Sequence, residues 1–93
     1  MATLQKAVLH VHGKVQGVYY RASAQQKARQ LGVTGYVKNL ENGVVYIEVE
    51  GTDDAVNQFV EWCQLGPSSA RVEDVDVSFD GETTGYSTFQ IHY

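Results

Sequence analysis

Only one cysteine, Cys63, occurs in this 93-residue chain. A secreted domain of this size would usually carry an even set of cysteines in disulfides, so the lone thiol points to a reducing compartment. Long hydrophobic runs are missing as well. The apolar stretches reach only a few residues, which leaves no segment able to cross a bilayer as a helix. The opening residues Met1-Ala2-Thr3-Leu4-Gln5-Lys6 lack the apolar centre of a signal peptide. These absences predict a cytoplasmic protein with no membrane partner. Positive charge is also scarce: seven Lys and Arg face eleven Asp and Glu, for a formal net charge of -4. The basic footprint of a nucleic-acid binder is therefore absent. A small anionic ligand remains allowed if a local positive site overcomes the mildly repulsive overall field. There is no repeat, low-complexity stretch or linker, and the length suits one domain over 1–93. The composition, 43% hydrophobic and 19% charged, argues against disorder.

What is present is a change of period along the chain. Lys6 to His12 alternates, with Ala7, Leu9 and Val11 on one face and Val8, His10 and His12 on the other, which is strand periodicity. From Arg21 to Leu31 the pattern turns helical, with Ala24, Ala28 and Leu31 on one stripe and Gly32 as a stop. Thr34 to Leu40 reads as a second strand. The hairpin signal Glu41-Asn42-Gly43 follows it, and Val45, Ile47 and Val49 then alternate with Tyr46, Glu48 and Glu50. Asp53 and Asp54 open a second helix with the stripe Val56, Phe59, Val60 and Cys63, ended by Gly66-Pro67. Val75, Val77 and Phe79 mark a fourth strand, and Phe89, Ile91 and Tyr93 a short edge strand. The order predicts an α+β, ferredoxin-like βαββαβ sandwich: an antiparallel sheet, both helices on one face, and a short extra C-terminal strand.

That fold hosts many functions, so function has to come from a site. An RNA-recognition module of this topology needs an aromatic signature on its third strand, and Val44-Val45-Tyr46-Ile47-Glu48-Val49 carries an acid instead. A metal carrier would need paired cysteines in the first loop. That loop reads His12-Gly13-Lys14-Val15-Gln16-Gly17-Val18-Tyr19-Tyr20-Arg21 and has none. It joins a strand to a helix start, where glycines let successive N–H groups turn into one cavity and the helix end adds its positive pole. Arg21 supplies a planar fork matching two phosphate oxygens. The loop is not a P-loop, because the Gly-Lys-Ser/Thr ending is absent. By itself it is equally a plain strand-to-helix turn with a surface arginine. Asn39, at a strand end before a hairpin, is by itself most commonly a turn residue.

The two segments together resemble the acylphosphatase family. The first fits its pattern Gly-x-Val-Gln-Gly-Val-x-x-Arg. The second, Gly35-Tyr36-Val37-Lys38-Asn39-Leu40-Glu41-Asn42-Gly43-Val44-Val45, fits Gly-aromatic-Val-Lys-Asn-x-x-x-Gly-x-Val. Gly66-Pro67-Ser68-Ser69-Ala70-Arg71-Val72 and the ending Phe89-Gln90-Ile91-His92-Tyr93 extend the likeness over nearly the whole chain. The resemblance implies hydrolysis of acyl phosphates without metal or cofactor, by a monomer that inorganic phosphate inhibits as product. It implies Arg21 as phosphate binder and Asn39 as the residue that orients water. It also implies a cradle of loop amides from Val15, Gln16, Gly17, Val18, Tyr19 and Tyr20. Three positions depart from the commonest pattern: Tyr20 replaces Phe or Met, Leu40 replaces Thr or Ser, and His92 replaces an arginine. Tyr20 and Leu40 adjoin the expected site, so rate or affinity is open to change.

Elementary chemistry agrees. The motifs offer no histidine, cysteine or carboxylate pair for acid–base work, so the leaving group must depart unaided. A carboxylate does so, since its conjugate acid has a pKa of about 4. The site then has only to hold phosphoryl oxygens, stabilise their charge and aim the water. Other features carry less. His10 and His12 have metal-ligand spacing but no evident third ligand, and are expected on the sheet face away from the helices. Cys63 is expected as a buried small hydrophobe. Glu48, Glu50, Asp53 and Asp54 are expected as a solvated face.

Overall fold

A computed structural model describes residues 4–80 and 82–92, without the side chain of Asp80; Met1 to Thr3 and Tyr93, named above, lie outside the described residues. The elements are β1 (Leu4–Lys14), α1 (Tyr20–Leu31), β2 (Thr34–Asn39), β3 (Val45–Thr52), α2 (Asp53–Leu65), β4 (Arg71–Asp80) and β5 (Phe89–His92). They form one sheet in the order β4-β1-β3-β2-β5. The four longer strands pair antiparallel, as the βαββαβ order requires. The added strand β5 lies parallel to β2, with Gly35 opposite Phe89 and Lys38 opposite His92, so the expected antiparallel sheet becomes mixed at this edge.

Period-2 alternation decides which face is buried. Ala7, Leu9, Val11, Val37, Val45, Ile47, Val49 and Phe89 point toward the helices and are almost fully buried. They meet Ala24 and Ala28 of α1 and Val56, Phe59, Val60 and Cys63 of α2 in one core. Phe59 lies 5.5 Å, centroid to centroid, from Phe89. Burial of each large apolar side chain stabilises by roughly 1.5–3 kcal/mol, so this core is the main source of stability. Leu31, expected on the α1 stripe, is only half-buried, while Tyr20 is buried in its place. Phe79 lies in β4 with Val75 and Val77, as expected, and is mostly exposed on this edge strand.

The open sheet face corrects a second expectation. Glu48 and Glu50 are not a solvated patch. Glu50 is buried and accepts backbone N–H bonds from Thr84, Gly85 and Tyr86. Glu48 is half-buried and accepts from the hydroxyls of Tyr36 (2.8 Å), Tyr46 (2.7 Å) and Tyr86 (2.7 Å), with Lys6 Nζ at 3.1 Å. Burial alone would raise the Glu48 carboxyl, but the hydroxyls of Tyr46, Tyr86 and Tyr36 and the Lys6 ammonium outweigh it and hold it at about 2. Asp53 and Asp54 are exposed as expected. His10 and His12 do lie on this face: His10 packs edge-on to Tyr46, and His12 Nε2 sits 3.0 Å from Asp76 Oδ2.

Candidate active site

The β1–β4 register shifts at His12/Gly13, with Glu73 of β4 as the extra residue, and β1 runs on to Lys14 opposite Arg71. Gly13 has φ 125, and an added Cβ would strike the Arg71 carbonyl of β4, so only glycine fits this crossing. The following loop turns through two left-handed residues, Gly17 (φ 74) and Tyr19 (φ 64). Tyr19 is the residue before the first turn of α1, and its side chain caps nothing. The first turn of α1 holds no acid. The N–H groups of an uncapped first turn have no intrahelical acceptor, so this end offers donors and positive potential to a ligand.

Arg21 lies in that first turn. Its Nη1 reaches the His92 carbonyl at 3.5 Å, which sets the guanidinium beside β5. A cavity of about 320 Å³ opens here, lined by Val15, Gly17, Tyr19, Tyr20, Arg21, Ala22 and Ile91. Five of the expected loop and arginine positions thus border one space. Gln16 and Val18 serve elsewhere. Ser69 Oγ donates to the Val18 carbonyl at 2.6 Å. Gln16 Nε2 donates to the carbonyls of Leu40 (2.8 Å) and Val44 (3.0 Å), a tie between the loop and the β2–β3 turn. Sequence reasoning named Gln16 only for its backbone. Its position between two glycines was the available signal, but nothing in the sequence shows that a side chain faces a turn more than twenty residues away.

Asn39 is the last residue of β2, opposite Val45. It does not border the cavity. The β2–β3 turn is built by others: Leu40 N–H donates to the Val44 carbonyl at 2.8 Å, Gly43 has φ 86, and Asn42 Oδ1 accepts from Val44 N–H at 3.2 Å. Asn39 Oδ1 is buried and finds no hydrogen-bond partner among the described residues. A buried unpaired acceptor costs about 1–3 kcal/mol, so this oxygen calls for a partner that the described residues do not supply.

The three departures from the commonest pattern have local causes. The Tyr20 ring is buried 5.5 Å from Trp62, and its hydroxyl donates to the Cys63 carbonyl at 2.7 Å. Burial pushes that phenol well above its ordinary value, so it acts as a neutral packing group. Leu40 meets Gln16 through its carbonyl, which any residue supplies. His92 stacks on Tyr36 with centroids 4.3 Å apart. Cys63 is buried, and burial pushes its thiol up to about 12. Among the described residues no three His, Cys, Asp or Glu side chains gather in a group able to hold a metal, and no helix is long and apolar enough to cross a membrane.

An open helix end, a glycine-bearing loop and an arginine at one edge of a mixed sheet define a ferredoxin-like protein with a pocket suited to an oxyanion. The family model for acylphosphatase matches residues 7–91, and the chain belongs to the acylphosphatase family. An acylphosphatase from Roseiflexus sp. (strain RS-1) is 48% identical over 90 residues, covering 94% of this chain and 97% of its own length. The structure of an acylphosphatase from Coxiella burnetii superposes with a TM-score of 0.92 at 36% identity, covering 97% of this chain and 94% of its own. The crystal structure of acylphosphatase from Bacillus subtilis gives 0.90 at 36% identity, over 97% and 99%.

Proposed function

We propose that this chain hydrolyses the carboxyl–phosphate anhydride of acyl phosphates to a carboxylate and inorganic phosphate. The amides from Val15 through Tyr20 and the Arg21 fork hold the phosphoryl oxygens, and Asn39 orients the attacking water. The observation that carries these roles is Asn39 Oδ1, a buried acceptor with no partner among the described residues, at the strand end tied to the loop by Gln16. Water oxygen attacks phosphorus in line, and the bond to the acyl oxygen breaks. The electron pair leaves with the carboxylate, and a phosphoryl oxygen takes the proton of the water, because an amide is too weak a base. The carboxylate needs no general acid. Neither a metal nor a cofactor enters this scheme, and inorganic phosphate competes for the same cradle as product. The 1–93 domain acts as a monomer in the cytoplasm, the latter in keeping with its lone thiol.

Phosphate release from benzoyl phosphate, with excess chelator present, tests the reaction. Asn39→Ala tests the roles. Misplacing a reactant costs on the order of a hundredfold, so turnover should fall at least that far while phosphate inhibition and thermal stability persist. Collapse of stability and phosphate binding together with activity would return Asn39 to a structural role. Phosphate binding by the wild type without turnover would make the chain a non-catalytic anion-binding module.

A further inference from the structure

We propose that Tyr19 determines specificity: its ring forms an apolar lip that receives the acyl part of the substrate, so the enzyme favours aromatic acyl phosphates over acetyl phosphate. This rests on the reaction proposed above and adds its substrate class.

Tyr19 is the one non-glycine among the described residues with positive φ (φ 64, ψ 18). Glycine or asparagine would occupy that conformation with less strain, and residues held in it concentrate at functional sites. The conformation is not repaid by a cap, since the side chain makes no N-terminal bond to α1. Nor is it repaid by packing, because Tyr19 is 79% exposed. Four large hydrophobic side chains stand mostly exposed among the described residues, namely Leu4, Tyr19, Leu65 and Phe79. Of these, Tyr19 borders the cavity that contains Arg21.

The cavity suits a ligand with one charged and one apolar end. Arg21 supplies the charge, while Val15, Ala22, Ile91 and Tyr19 are apolar or aromatic. Its volume of about 320 Å³ lies at the lower bound for small-molecule sites and exceeds the needs of a phosphoryl group. In-line displacement sends the acyl group away from the attacking water, hence away from Asn39. Asn39 does not border this cavity and Tyr19 does. Contact with a non-reacting part of the substrate can be used to position the reacting bond, so the benefit should appear in kcat/KM.

The test compares kcat/KM for benzoyl phosphate and acetyl phosphate in the wild type, Tyr19→Phe and Tyr19→Asn. Asparagine tolerates the left-handed backbone, so the variant folds with less strain than the parent. The benzoyl-to-acetyl ratio should fall about fivefold in Tyr19→Asn and stay near wild type in Tyr19→Phe. Dividing by the wild-type ratio cancels the intrinsic reactivity of the two anhydrides. An unchanged ratio in Tyr19→Asn, or equal losses on both substrates, would overturn the proposal while leaving the hydrolase intact. Failure of the wild type to release phosphate from either substrate would overturn the hydrolase, and the proposal with it.

Discussion

The two helices of this protein begin in opposite ways. At α2, Thr52 accepts a hydrogen bond from the Ala55 N–H at 3.3 Å, and Asp53 and Asp54 sit on the positive end of the helix. At α1, a strained Tyr19 caps nothing, no acid follows, and Arg21 adds positive charge to an end already positive. The first end is completed by the protein's own groups. The second has no side-chain cap and no acid. The same division runs through the sheet. Glu48 and Glu50 have every visible bond they need, whereas Asn39 Oδ1 has none among the described residues. The carboxylates that stabilise this fold are satisfied from within, whereas the Asn39 amide oxygen is not.

Changing Arg21 should break the open end most severely. Charge-assisted hydrogen bonds are worth roughly 1.5–3 kcal/mol each. Arg21→Gln should therefore weaken phosphate inhibition on the order of tenfold or more, and turnover should fall at least as far. Inhibition unchanged in a titration with inorganic phosphate would place the anion site elsewhere.

Glu48 tests the satisfied side. Its folded carboxyl stands at about 2 against an ordinary 4.5. A depressed folded value contributes stability that is complete above the ordinary pKa and is lost as pH falls from 4.5 toward 2. The unfolding free energy from urea titrations should drop through that window by roughly 2–3 kcal/mol. Glu48→Gln should flatten the drop while also lowering stability at neutral pH, since one carboxylate serves three hydroxyls. An equally steep acid limb in the variant would assign it to other groups.

Ala22→Asp converts the α1 end toward the α2 pattern. Ala22 is exposed in the first turn, so the new charge should leave thermal stability equal or slightly higher. Phosphate inhibition should weaken roughly threefold to tenfold, because the acid competes for the same positive end. Unimpaired phosphate inhibition would show that this helix end does not hold the anion. The smallest effect belongs to Thr52→Ala at the closed end. Loss of the cap should cost about 1 kcal/mol of stability, read as a lower Tm, with kcat/KM unchanged. A matching loss of activity would mean that the two ends are not independent.

Much of the fold was legible because burial in it follows period. Alternation in β1 and β3, the stripe of α2 and the glycine stops all describe what one chain segment does with its own neighbours. Alternation also placed Phe79 in β4, but it shows only which residues share a face, not that this side chain stays exposed on an edge strand. Glu48 and Glu50 were misread because a carboxylate in an alternating strand is ordinarily solvated. Here Tyr46 from the same strand, Tyr36 from the neighbouring β2 and Tyr86 from a distant loop close over Glu48.

The sequence by itself determined the element order, the alternating faces of β1 and β3 and the residue types of the candidate site. Each of these is set by local periodicity, turn chemistry or a motif within a few positions. Tertiary structure alone decided that β5 runs parallel beside β2, where the His92 carbonyl meets Arg21. It decided that Gln16 clamps the loop to the Asn39 turn, that Tyr20 faces the core, and that Tyr19 stands at the cavity mouth. The physical reason is that hydrogen bonds and burial depend on which distant groups are brought within a few ångströms. That proximity is a property of the packed chain, because no residue's chemistry specifies its partner across twenty or seventy positions.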